Sequence, residues 1–148
     1  MTTGSNDWTR TNNPLNVRST DIDWQGECTP PGAKWEWYKT MPAGIRAGML
    51  SIFSKWKRGA HTPYDITKAY APESDGNDVE AYAGFIAKRL GLKDAHQYID
   101  LSKPDVALKY ALAVLAIENG VFAGKNIDLA TVKTGVNMAL TYCGFPTL

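Results

Sequence analysis

The chain is poor in the residues that most often carry metal or thiol chemistry. Its 148 residues include two histidines, His61 and His96, and two cysteines, Cys28 and Cys143. There is no Cys-x-x-Cys pair, no Cys/His spacing and no His-Glu-x-x-His helix, so neither a metal nor any other cofactor is expected. The cysteines lie far apart in sequence, which leaves open whether their Cα atoms approach closely enough to bridge. A Cys/His nucleophile pair also stays open, because such pairs need only meet in space. The formal net charge is only +1, and a nucleic-acid partner, which calls for a basic patch, is not expected. The nearest thing to one, Lys55-Trp56-Lys57-Arg58, reads as the solvated end of a helix, where cations suit the dipole. The longest apolar run, Ala111 to Ile117, is too short to span a bilayer, so no membrane insertion is expected. Met1 to Asn6 lacks the basic and apolar parts of a signal peptide.

The remaining composition suits one globular domain over residues 1–148. Apolar residues make up 44% and charged residues 21%, which is ordinary for a soluble fold with a real core. The pattern is mainly helical, a mainly α (α+β) chain with a small irregular or short β N-terminal region. Residues 1–11 are polar and read as loose, with Trp8 as an anchor. Residues 12–39 hold the turn Pro30-Pro31-Gly32 and the aromatic cluster Trp35-Glu36-Trp37-Tyr38. Trp35 and Tyr38 cannot both share a strand face with Trp37, so some of these rings should stand outside the core.

A first helix is expected near Pro42, capped by Thr40. Its stripe is Ile45, Met49, Ile52, Phe53 and Trp56, and Gly59 stops it. A short helix follows from Tyr64 to Ala71. Asn77-Asp78-Val79-Glu80 resembles a capping box, with Asn77 capping and Glu80 reaching back. Val79, Tyr82, Ala83, Ile86 and Leu90 continue that helix to Gly91. Ser102-Lys103-Pro104-Asp105 opens another in the same style, which runs to Asn119-Gly120. It is apolar on nearly every side and therefore reads as the central helix. A last helix covers Leu129 to Tyr142.

Two features suggest a site. Asn12-Asn13-Pro14-Leu15-Asn16-Val17-Arg18 combines turn chemistry with an alternation that buries Leu15 and Val17. Its amides, close to tryptophans, could line a groove for a polar ligand, or form a capped, solvated turn. Glu118 ends the most apolar helix, on the face of Ala111, Val114 and Leu115. Desolvation favours the protonated form of a carboxyl, as a general acid requires. The alternative is a carboxylate that has reached water at the helix end, where it meets the wrong pole of the dipole.

Three segments together resemble phage and bacterial peptidoglycan-cleaving proteins of the lysozyme-like superfamily. Asn12 to Arg18 followed by Trp24-Gln25-Gly26 is similar to their Asn-Asn-Pro-Gly-Asn-Ile-Arg opening. Trp37 to Ala47, with Gly44-Ile45-Arg46-Ala47, resembles their Gly-Ile-Arg-Ala helix start. Tyr70-Ala71-Pro72, Tyr82, Gly91-Leu92 and Ile117-Glu118-Asn119-Gly120 are similar to their Trp-Ala-Pro-Pro, Tyr and His-Glu-Asn-Gly segments. Ile117 stands where that pattern has His, Leu15 where it has Gly, and Tyr70 where it has Trp. In flagellar-type glucosaminidases and lytic transglycosylases the catalytic Glu precedes the Asn, aromatic and Tyr segments. In this chain it follows them, which looks like a circular permutation.

The resemblance implies a single lysozyme-like muralytic domain that cleaves the β-1,4 glycan backbone of peptidoglycan. It implies a muramidase, glucosaminidase or lytic transglycosylase, either a phage lysin or a virion-associated enzyme. Glu118 would be the acid, with Glu27 its rival, and Glu36, Glu73 and Asp75 would be second carboxylates or surface charges. Asn12, Asn13, Asn16, Trp24, Trp35, Trp37, Tyr70, Tyr82 and Asn119 would bind sugar. Bacterial peptidoglycan would be the partner, together with other virion proteins. The protein would reside in the virion or host cytoplasm and act on the periplasmic wall. Two other classes compete: a non-catalytic virion structural or glycan-binding module, and a peptidase or amidase using Cys28 or Cys143 with a histidine.

Overall fold

A computed structural model describes residues 6–119 and 127–148. Residues 1–5 and Gly120, which entered the expectations for the N-terminus and the end of the long helix, lie outside that set. Among the described residues the chain forms six α-helices: α1 Trp8–Thr11, α2 Met41–Lys57, α3 Pro63–Tyr70, α4 Val79–Arg89, α5 Pro104–Asn119 and α6 Leu129–Cys143. A single 3-10 turn, Glu73–Asp75, precedes α4. The architecture is mainly helical, as the periodicity implied. No helix among the described residues is long and apolar enough to cross a membrane.

α2 packs along α6 and touches α3, while α5 joins α4 to α6. Thr40 caps α2 by accepting from Ala43 N–H, with Pro42 in the first turn. Ile45, Met49, Ile52 and Phe53 are buried in the main core with Leu15, Ile86, Leu101, Val114 and Leu140. α2 also buries the opposite side of its N-terminal half. Ala43 and Ala47 pack against Val17 and Tyr38, with Trp24 partly covering them. Every residue from Ala43 to Met49 is buried. The most enclosed segment is therefore the start of α2. α5 was expected to be central, but it leaves Val106, Leu108, Leu112 and Ile117 only partly buried. The difference arises because the N-terminal region covers α2.

Among the described residues that region is held by single bridges rather than by a β-ladder. Arg18 pairs with Trp35 and Glu27 with Tyr38, both antiparallel. Of the start expected to be loose, residues 8–11 form the short helix α1, capped by Asp7, and Trp8 packs against the core as the anchor. Trp35 and Tyr38 are buried and Trp37 is half-exposed. Glu36, expected at the surface, is fully buried. Its Oε1 accepts from Thr29 Oγ1 at 2.8 Å and from Ser19 Oγ at 3.3 Å, so this carboxylate ties three segments of the irregular region together.

The cap of α4 is Asp78, one residue later than expected. Its side chain accepts from Ala81 N–H at 3.1 Å. Asn77 is buried and donates to Pro72 O, while Glu80 lies 3.6 Å from His96. Asp78→Ala is expected to cost about 1 kcal/mol. Glu80→Gln should stay within about 0.5 kcal/mol, as exposed substitutions do. Urea unfolding of the two variants reads the difference, and equal losses would return the cap to a box involving Glu80. At α5, Ser102 does not cap the helix; its hydroxyl donates to Asp100 at 2.5 Å.

Candidate functional site

A cleft of about 1000 Å³ runs between the N-terminal region, α2 and the segment after α3, and Glu118 lines it. Glu118 is 5% exposed. Its two carboxylate oxygens are held by two different parts of the chain. Asn16 Nδ2 donates to Oε1 at 2.5 Å, and the Tyr82 hydroxyl donates to Oε2 at 2.5 Å. The next residue reinforces the junction, with Asn119 Nδ2 donating to Pro14 O at 2.6 Å. Tyr70, on the cleft wall, donates its hydroxyl to Leu15 O. The end of α5 is thus tied to residues 14–16, more than 100 positions earlier in the chain.

Local chemistry explains why Asn16 can reach Glu118. Asn12 and Asn16 both adopt the left-handed conformation, with φ of 54° and 55°, which Asn tolerates better than other side chains. Between them Asn13 is fully buried. Its amide donates to Val17 O and Glu36 O, and its carbonyl accepts from Val17 N–H. Asn6 Nδ2 donates to Asn16 Oδ1 at 2.5 Å and so leaves the Asn16 amino group to face the carboxylate.

The site residues anticipated from sequence divide into two groups. Asn16, Trp24, Tyr70 and Glu118 line the cleft, and Tyr82 and Asn119 hold Glu118 and its segment. Asn12, Asn13 and Trp37 lie outside the cleft lining. Asn12 donates to Tyr38 O, and Trp37 sits under the Arg10 guanidinium at 5.5 Å. Glu27 is engaged in its own turn, accepting from Trp24 N–H at 3.1 Å. Asp75 lines the cleft and pairs with Arg18 at 3.4 Å, whereas Glu73 is exposed.

Sequence reasoning missed the cationic wall contributed by α2 and its C-terminal cap, namely Arg46, Lys55 and Lys57 with Arg58. Lys55 is half-buried rather than solvated. It donates to Ser51 Oγ at 3.1 Å and lies 5.7 Å from the Tyr70 ring centroid. Burial, with Arg58 adding to it, lowers the Lys55 pKa below the usual lysine value. Both cysteines are free, Cys28 exposed and Cys143 on the cleft wall. The imidazoles have other neighbours: His61 lies against Trp56 and Tyr98, and His96 against Tyr64.

The tyrosine hydroxyls beside Glu118 are held in their protonated form. Burial first, and the Glu118 carboxylate second, hold the Tyr70 and Tyr82 phenols well above their ordinary value. Burial does the same for Tyr38 and Tyr110. The folded chain therefore keeps protons that the unfolded chain releases near pH 10. Stability should be full below that point and should fall as pH rises above it. The expected slope is about 1.4 kcal/mol per pH unit for each of the buried Tyr38, Tyr82 and Tyr110. Urea unfolding between pH 9 and 11 measures it, with Tyr82→Phe expected to remove one tyrosine's share. A flat profile would contradict the burial of these hydroxyls.

No protein-family model matches the chain. It is similar to Protein P5 of Pseudoalteromonas phage PM2, with 32% identity over 117 residues covering 75% of this chain and 69% of that protein.

Proposed function

The chain belongs to the family of Protein P5 of phage PM2, and from that premise and the cleft we propose a bacteriophage enzyme that cleaves the peptidoglycan glycan backbone. The observation that carries the proposal is the Glu118 carboxyl. It is 5% exposed, lines a cleft of about 1000 Å³ and is oriented by Asn16 and Tyr82. Each oxygen accepts one hydrogen bond from the fold and has a further lone pair for a substrate. Trp24 supplies an apolar ring to the cleft, suited to stacking on a sugar face.

In the proposed reaction the Glu118 carboxyl gives its proton to the glycosidic oxygen as the C–O bond breaks and the sugar acquires oxocarbenium character. The resulting carboxylate then takes a proton from the attacking group. With water as that group the product is a reducing sugar. With the sugar's own hydroxyl it is an anhydro ring, and one residue serves both steps. The lysozyme-like reading of the helical domain rests on the ordered Asn, aromatic, Tyr and Glu-Asn-Gly segments. The clasp formed by the hydrogen bonds from Asn16 to Glu118 and from Asn119 to Pro14 adds support by bringing the first and last of these into contact despite their distance in sequence.

The second reading is a virion structural or glycan-binding module. The same clasp favours it, because a buried carboxylate hydrogen-bonded to two segments also serves to join them. Dye release from labelled sacculi separates the readings. The wild type and a Cys28→Ser/Cys143→Ser variant should both release dye, and Glu118→Gln should not. Release that depends on the cysteines would support a peptidase or amidase, and no release by folded wild type would support the structural module.

A further inference from the structure

Arg46 stands apart from the other cations of the cleft. It belongs to the Gly44-Ile45-Arg46-Ala47 segment at the start of α2 and is only 7% exposed, yet it lines the cleft. Its guanidinium lies 5.0 Å from the ring centroid of Tyr142. The ion pairs among the described residues join Arg18 to Asp75 and His96 to Glu80, and neither includes Arg46. Residues 1–5 and 120–126 contain no Asp or Glu, so they supply no side-chain carboxylate for it. A buried charge without a counter-charge is unfavourable. The open volume beside Arg46 is the cleft itself. Lys55 lies nine residues further along the same helix, about 13 Å along its axis, and also lines the cleft.

We propose that Arg46, with Lys55 as a second cationic position on the same wall, binds a carboxylate of the muramyl side chain. The cleft then selects anionic glycan over neutral glycan. The proposal rests on the peptidoglycan reading and names the part of that polymer the α2 wall contacts. A guanidinium offers a planar fork that pairs with a carboxylate through two hydrogen bonds. Where a muramyl sugar bears a peptide, its lactyl carboxyl is taken up in the amide that joins the two, and the carboxylate belongs to the peptide; where it bears none, the lactyl carboxylate itself is free.

The test compares sacculi with strands stripped of peptide by an amidase, which frees the lactyl carboxylate, each in native form and with its carboxylates coupled to methylamine. Glycan cleavage and co-sedimentation of protein with polymer are both read. Wild type should lose about tenfold in both on the methylamidated polymer. Arg46→Gln should show that loss on native sacculi and no longer distinguish the two polymers, while Arg46→Lys should recover part of the difference. On stripped strands, discrimination between the uncoupled and coupled forms by wild type shows that the lactyl carboxylate freed from its peptide is bound, and lost discrimination assigns the peptide. Equal treatment of native and methylamidated polymer by wild type would overturn the proposal. So would an Arg46→Gln variant that keeps the wild-type ratio.

Co-sedimentation keeps this inference separable from the catalytic reading. Absent cleavage with Arg46-dependent discrimination in sedimentation would refute the enzyme and leave the carboxylate site standing. Thermal unfolding checks each variant. Where Arg46→Gln does not fold, Lys55→Gln carries the test, with about a threefold loss on native sacculi expected and an unchanged wild-type ratio counting against the proposal.

Discussion

Replacing Glu118 by Gln is expected to lower peptidoglycan cleavage by about a hundred- to ten-thousandfold while the protein stays folded. That range is what a positioned general acid contributes, and no other carboxylate is held in the cleft by the Asn16–Tyr82 pair. The stability effect should be small by comparison. Gln matches Glu in shape, and its carbonyl oxygen still accepts one of the two hydrogen bonds. Its amino group meets a second donor, but the Tyr82 hydroxyl can rotate to accept instead. A loss of about 1 kcal/mol is expected. Initial rates of glycan fragment release, with urea unfolding of the same samples, separate the two effects. Full activity in the variant would remove Glu118 from the chemistry.

Gly44→Ala is expected to be the most damaging substitution of a small residue. A Cβ built at Gly44 falls 1.7 Å from Asn12 O and 2.8 Å from Asn12 C. Both atoms are backbone, so no rotamer change relieves the overlap. Residues 12–16 and α2 must move apart, which should cost about 3 kcal/mol or more. The movement would also pull Asn16 away from Glu118, so a folded remnant should be inactive. Gly48 is a useful comparison. A Cβ there meets the Leu15 side chain, with Cδ1 at 2.3 Å and Cβ at 2.6 Å; Cδ1 can turn away, Cβ moves only with its backbone, and the overlap is shallower than the one at Gly44. Gly48→Ala should therefore cost less, about 1–2 kcal/mol. Chemical denaturation of both variants tests the ranking. Wild-type stability in Gly44→Ala would mean that the segment does not rest on α2 as described.

These two glycines show where reading the sequence stops short. Thr40, Pro42 and the Ile45-Met49-Ile52-Phe53 stripe announced α2, because caps and large apolar residues leave a periodic signal. Gly44 and Gly48 leave none, although the face they form is where the N-terminal segment sits. α5 looked central for a related reason: its large apolar residues were visible, while the Ala and Gly contacts enclosing α2 were not. The α4 cap was misplaced by one residue because Asn77 and Asp78 are both competent caps, and burial of Asn77 decides between them.

The polar interior was the least legible part. Asn13, Glu36 and Arg46 all read as surface residues by type, and all three are buried. Asn13 and Glu36 organise the irregular region through hydrogen bonds to residues that no periodicity connects. Glu118 was legible because a carboxylate on the Ala111-Val114-Leu115 face is anomalous in sequence alone. Asn16 stood out in the polar turn segment and Tyr82 was brought forward by resemblance, and the fold places both against that carboxylate.

The central claim is that this cleft breaks glycosidic bonds, and mass spectrometry of the soluble products from a wild-type digest of purified sacculi tests it most directly. The expected products are short glycan fragments with reducing or anhydro-muramyl ends and their peptides still attached. Free peptides released from uncut glycan strands, or no soluble product from folded protein, would contradict it.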